Sequence, residues 1–203
     1  MLTRYLAALS SGAALALALL ITPVAFAEDA KTKAVEVKGI KLDIPEAWKP
    51  KALPPGGFGR VAQFDVAAVE GDKEGAEVVV SHFGPMGAGP IPANIDRWVK
   101  QFDGDERKVK IFEGESKLGK YVLVDLTGTW NKSIGPPVAM KTAKVPGSRV
   151  LGVILKSEKS GQFYIRLTGP EKTVTANAKA LRVALQADPE KEVEKKDEAE
   201  KKE

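Results

Sequence analysis

Apolar and polar residues alternate in short runs along most of the chain, and glycine and proline separate the runs. A period of two puts one strand face in a core and the other in water. Residues 35–37 and 40–44 alternate about Lys38-Gly39, which predicts an opening hairpin that ends at Pro45. Residues 60–68 (RVAQFDVAA) and 77–83 (EVVVSHF) predict two more strands, joined across a charged turn at Gly71-Asp72-Lys73. Residues 121–130, 150–155 and 162–168 add three, and residues 108–112 form the weakest candidate. The expectation is a mainly antiparallel sheet of about six or seven strands.

Two segments follow a helical period instead. Asn94 is placed to cap a helix in which Ile95, Trp98, Val99 and Phe102 share one face, with Arg97, Lys100 and Gln101 turned to solvent. A second helix starting at Pro170 or Thr173 carries the stripe Val174, Ala178, Leu181 and Leu185, with Lys179, Arg182 and Gln186 opposite. Helices covering an antiparallel sheet define an α+β fold.

IPEAWKP at residues 44–50, PANIDRWVKQF at 92–102 and QFYIRLTGPEKTV at 162–174 carry a resemblance to small exported bacterial domains. Their layout is similar to the PsbP-like fold, named for the extrinsic lumenal protein of photosystem II. The resemblance implies an α/β/α sandwich and an accessory or binding role rather than catalysis. No functional residue of the photosystem protein matches a motif in this sequence, so none is carried over.

The N-terminus changes the setting of this domain. Arg4, the apolar run at residues 13–21, the helix stop at Thr22-Pro23 and the small residues Ala25 and Ala27 form a secretory signal, with cleavage expected between Ala27 and Glu28. The apolar run is shorter than the ~20 residues of a spanning helix. A protein exported to the periplasm or the extracellular space is expected, with no membrane span after cleavage. Residues 28–187 then form a single domain. Residues 188–203 hold eight acidic and five basic residues without an apolar stripe, which predicts a disordered tail.

The chain has no cysteine, which removes disulfides, thiolate metal sites and thiol nucleophiles. A single histidine, His82, shares strand parity with Val78 and Val80 and reads as structural. No metal-binding histidine spacing exists. Residues 84–89 are glycine-rich, but Pro90 and Pro92 remove donors where a phosphate cradle needs them, so the segment reads as a turn. Ser81, Ser116, Ser133 and Ser148 lie in no nucleophile elbow. Asp125 needs a partner such as Arg149 or Arg166. No cofactor is expected.

The formal charge is +4 while the tail is acidic, so the domain carries the basic surplus. Its basic residues are scattered, which argues against nucleic acid. Arg97 beside Trp98 forms one candidate recognition surface. Residues 131–149 read as a long basic loop containing Lys132, Lys141, Lys144 and Arg149. The leading expectation is a non-catalytic domain that binds a protein or an anionic envelope component through Arg97, Trp98, Lys141, Lys144 and Arg149. The alternative is a small-ligand or metal-ion carrier with a pocket near Trp98 and Trp130. A third reading is a hydrolase using carboxylates among Asp43, Glu46, Asp65, Glu77 and Asp125.

Overall fold

The structure is a computed structural model that describes residues 31–57, 59–135 and 141–195. The expected signal, with Ala27 and Glu28, lies outside the described residues, as do residues 196–203. Ten strands and three α-helices follow in the order β1 (Thr32–Val37), β2 (Ile40–Pro45), β3 (Lys49–Pro50), β4 (Arg60–Val66), β5 (Ala76–His82), α1 (Ile91–Val99), β6 (Lys108–Ser116), β7 (Gly119–Ser133), β8 (Thr142–Ser157), β9 (Gly161–Pro170), α2 (Glu171–Ala176), α3 (Ala178–Ala184) and β10 (Val193–Lys195).

β1 and β2 form the expected hairpin, and the other strands make one eight-stranded sheet ordered β10-β6-β7-β8-β9-β5-β4-β3. Every pairing in it is antiparallel. The sheet is larger than the six or seven strands expected because two of its members escape a pattern search. β3 is two residues long, and β10 consists of exposed residues with no apolar alternation.

One sheet face is closed by α2, α3 and the β1–β2 hairpin. Leu42 and Ile44 of the hairpin, Val78 and Val80 of β5, Leu167 of β9, and Val174, Leu181 and Leu185 of the helices share its core. At about 1.5–3 kcal/mol for each large side chain buried, this layer supplies most of the hydrophobic stabilisation. The expected single C-terminal helix is split at Asn177, whose Oδ1 accepts from Trp48 Nε1 at 3.0 Å while its Nδ2 donates to the Thr173 carbonyl at 2.9 Å. The opposite face is covered only in part. There α1 packs Trp98 and Phe102 onto Val124, Leu126, Val150 and Ile154.

Asn94 is not the cap of α1. Pro90 occupies that position, and Asn94 lies inside the helix, buried, with its Nδ2 donating to the carbonyls of Ala88, Gly89 and Pro90 at 3.3, 3.3 and 2.9 Å. One side chain thereby ties the glycine-rich turn to the helix.

Residues 131–149 are not a structureless loop. Asn131, Lys132 and Ser133 pair with Lys144, Ala143 and Thr142, so β7 and β8 run on as a two-stranded arm past the ends of their neighbours. A register shift between Gly128 and Trp130 marks where the arm departs. Residues 136–140 lie outside the described residues.

Residues 188–195 also stay on the domain. Val193, Glu194 and Lys195 pair with Glu113, Phe112 and Ile111 of β6. Glu192, its side chain only 5% exposed, accepts from Arg182 Nε and Nη2 at 2.8 and 2.6 Å and from Tyr121 Oη at 2.8 Å. A charged segment holds here because its one buried carboxylate is fully paired, which composition alone cannot show. Arg182, expected to face solvent, is the other half of that pair.

Candidate functional site

The partly covered face carries a groove of about 970 Å³ beside α1. Its floor is built from Glu77, Val79 and Ser81 of β5 and from Arg166 and Thr168 of β9. Lys49, Lys51 and Arg60 stand on the lip formed by the β3–β4 edge, while Trp130 and Lys132 of the arm form the other. Five basic and three acidic side chains line it.

The arm is held in place by the end of α1. Asn131 N–H donates to the Gln101 carbonyl at 2.7 Å, Asp103 N–H donates to the Thr129 carbonyl at 2.9 Å, and Asn131 Nδ2 donates to Asp103 Oδ1 at 2.8 Å. Lys144 reaches the other Asp103 oxygen at 2.9 Å. Hydrogen bonds from Lys144 first, then from Asn131, hold the Asp103 carboxyl below its ordinary range.

Arg166 is the central side chain of the floor. Its guanidinium lies 5.4 Å from the centre of the Trp98 ring and donates from Nη2 to Gln101 Oε1 at 3.0 Å. No carboxylate pairs with it among the described residues. Burial alone pushes its pKa down to about 10. Its Nε is out of reach of solvent and has no acceptor, and the same is true of Trp130 Nε1. These two N–H groups are the buried side-chain polar atoms left unpaired among the described residues.

Lys51, Asp65 and Glu77, by contrast, are paired with one another. Lys51 Nζ lies 3.0 Å from both Asp65 and Glu77, and these hydrogen bonds, Asp65's first, raise its pKa. Glu77 also accepts from Gln63 Nε2 at 2.6 Å, and Gln63 Oε1 accepts from Arg60 at 3.1 Å. Asp65 and Glu77 thus share a lysine between them. Asp125 is paired elsewhere, and no hydrogen bond or ion pair brings Asp43 or Glu46 to either of these groups.

The five candidate partner-binding residues do not share one surface. Arg97 is exposed on α1, whereas Trp98 is 5% exposed and points into the core, with Arg166 rather than Arg97 against its ring. Lys141 is exposed at the arm and Lys144 is bound to Asp103. Arg149 lies on the opposite sheet face, bidentate to Asp125 at 2.9 and 2.6 Å and bonded to Thr175 of α2 at 2.6 Å. Of the two partners considered for Asp125, Arg149 is the one found. That hydrogen bond also raises the Arg149 pKa.

Sequence reasoning missed Arg166 as a site residue. The signal was present in its position at the centre of an apolar strand, FYIRLT, where a charge must face either a partner or a ligand. His82 is structural in geometry. Its Nε2 lies 2.7 Å from the Ser160 carbonyl, Gly84 N–H approaches Nδ1 at 3.4 Å, and the ring packs on Phe163 at 4.6 Å. The described residues hold no group of three His, Cys, Asp or Glu placed for a metal ion, and no helix long and apolar enough to cross a membrane.

The architecture is that of an α+β domain with a partly uncovered antiparallel sheet. No protein-family model matches the chain. No curated protein matches it either. Among solved structures it is similar to the cyanobacterial PsbP protein, CyanoP, of Synechocystis sp. PCC 6803, at 13% identity over 79% of this chain and 93% of that one, with a TM-score of 0.47. It is also similar to a Pseudomonas aeruginosa protein of unknown function, proposed to be a regulator, at 18% identity over 76% and 94% of the two chains, with a TM-score of 0.41. The PsbP-like layout read from the sequence thus meets a PsbP structure among these matches. No role or residue is taken from either.

Proposed function

We propose that this chain is an exported, non-catalytic binding domain that presents the groove beside α1 to an anionic partner, a protein or another envelope component. The groove itself carries the reading, because it is a concave stretch of sheet left uncovered and lined with a surplus of cations. The carboxylates that line it and have close partners are spent on Lys51 and Gln63, an arrangement suited to shaping a surface rather than to transferring protons. The sequence adds the export signal.

The test is reversal of charge at the two lips, Lys49→Glu with Lys132→Glu, in protein recovered from the exported fraction of its host and crosslinked gently. The expected outcome is loss of a co-captured polypeptide that survives the control reversal Lys179→Glu on the other face. Unchanged capture by the lip variant counts against the reading.

A small-ligand carrier is the second reading, favoured by a groove volume at the upper end of small-molecule pockets. It predicts a rise in melting temperature with a small metabolite alone.

A further inference from the structure

Buried polar groups in folded proteins are paired almost without exception, and a buried charge without a counter-charge is costlier still. This domain follows the rule at Asp125–Arg149 and at Glu192–Arg182, where each buried carboxylate meets its guanidinium with two hydrogen bonds. Arg166 breaks it. One of its five N–H donors has an acceptor, Gln101 Oε1, and its Nε is buried without one. The second orphan, Trp130 Nε1, belongs to another side chain that lines the same groove. Both orphans are donors. Neither meets any of the three carboxylates that line the groove.

We propose that Arg166 is the anchor of a binding site for an acidic peptide segment of a partner protein, whose carboxylate enters the groove and pairs with the guanidinium beneath Trp98. This rests on the groove being the binding surface. A carboxylate accepts at both oxygens and matches the planar fork of arginine, while Trp98 and Gln101 fix the fork's orientation in advance. The choice of a peptide follows from the spread of charge. Lys49 at the β3–β4 edge and Lys132 on the arm stand on opposite lips of one groove, an arrangement that suits successive acidic side chains of an extended chain. Apolar Val79, Val145 and Pro146 also line the groove and suit the intervening residues.

The experiment is a titration of the purified protein with a glutamate-rich peptide, followed by tryptophan fluorescence at low and moderate salt, with citrate and inorganic phosphate as separate probes. Wild type is expected to bind the peptide with an affinity that falls as salt rises. Arg166→Gln is expected to weaken it at least about tenfold, the loss of a charge-assisted pair, and Arg166→Lys to fall between, since it keeps the charge and loses the fork. Circular dichroism on the same samples confirms that each variant is folded. A folded Arg166→Gln that binds within twofold of wild type overturns the anchor. If Lys49→Glu with Lys132→Glu still abolishes binding in that case, the groove reading stands without it. Both fail if neither variant changes binding. Citrate or phosphate binding as tightly as the peptide and competing with it overturns the peptide in favour of a small anion. Absence of peptide binding by folded wild type overturns the proposal outright.

Discussion

The indole of Trp98 lies directly on Gly152, where a β-carbon built on the backbone comes within 2.5 Å of Cζ3. The bare glycine in the middle of β8 lets α1 settle close to the sheet. Trp98 in turn covers Arg166, which sits next to Gly152 in the β8–β9 register. Gly152→Ala therefore forces the ring outward. Overpacking of this kind costs about 1–3 kcal/mol, so the variant is expected to unfold at lower urea concentration, with the Trp98 environment altered in near-ultraviolet circular dichroism. An unchanged midpoint shows that the helix does not depend on this contact.

Asn94 makes its three hydrogen bonds to successive carbonyls at the entry to α1. Asn94→Ala removes these bonds from a buried side chain whose carbonyl partners lie at half-buried and exposed residues, at about 1 kcal/mol. Amide hydrogen exchange should quicken over residues 84–90 before it quickens in the central strands. Uniform acceleration across the sheet argues that Asn94 supports the whole core rather than this turn.

Glu192 closes the C-terminal end of the domain against Arg182 and Tyr121. Burial first, then the hydrogen bond to Glu192, pushes the Tyr121 pKa up. A phenol whose folded pKa is raised contributes stability that is complete below about pH 10 and is lost as pH rises further. Truncation after Asp188 removes Glu192 and leaves Arg182 without its counter-charge. A loss of about 3 kcal/mol or more is expected at neutral pH, and Tyr121 should ionise at lower pH than in the intact chain when followed at 295 nm. Stability equal to that of the intact chain contradicts the pairing.

Arg166 should weaken the free protein. Burial depresses its folded pKa to about 10. For a cation this sign means a penalty that is fully present below about pH 10 and is relieved as pH rises above it. Arg166→Met is expected to raise neutral-pH stability by about 1 kcal/mol or more, with the gap from wild type narrowing above pH 10. Lower stability of the variant at pH 7 shows that the guanidinium is compensated in the free protein.

Much of the fold was legible in the sequence because burial imposes a period. The hairpin about Lys38-Gly39, the strands through Phe64, Val80, Leu123, Ile154 and Ile165, and the stripe of Val174, Leu181 and Leu185 all emerge where the alternation predicts. The arm from Asn131 to Lys144 did not, because its polar residues pair in register without facing a core. β10 escaped for the same reason, since a single buried carboxylate secures it. Trp98 was correctly placed on the apolar stripe of α1, but its cation comes from Arg166, across the sheet, and sequence proximity had pointed to Arg97. Strand pairing sets Arg166 beside Gly152, and the packing of α1 on that glycine brings Trp98 to it.

We place an acidic partner at Arg166, in the groove over β4, β5 and β9. Two-dimensional amide NMR during addition of a glutamate-rich peptide tests it most directly. Shifts are expected at Val79, Ser81, Gln101, Arg166 and Thr168, together with the side-chain N–H of Trp130, with little change on α2 and α3. Shifts centred on the α2–α3 face, or none at all in a folded sample, contradict it.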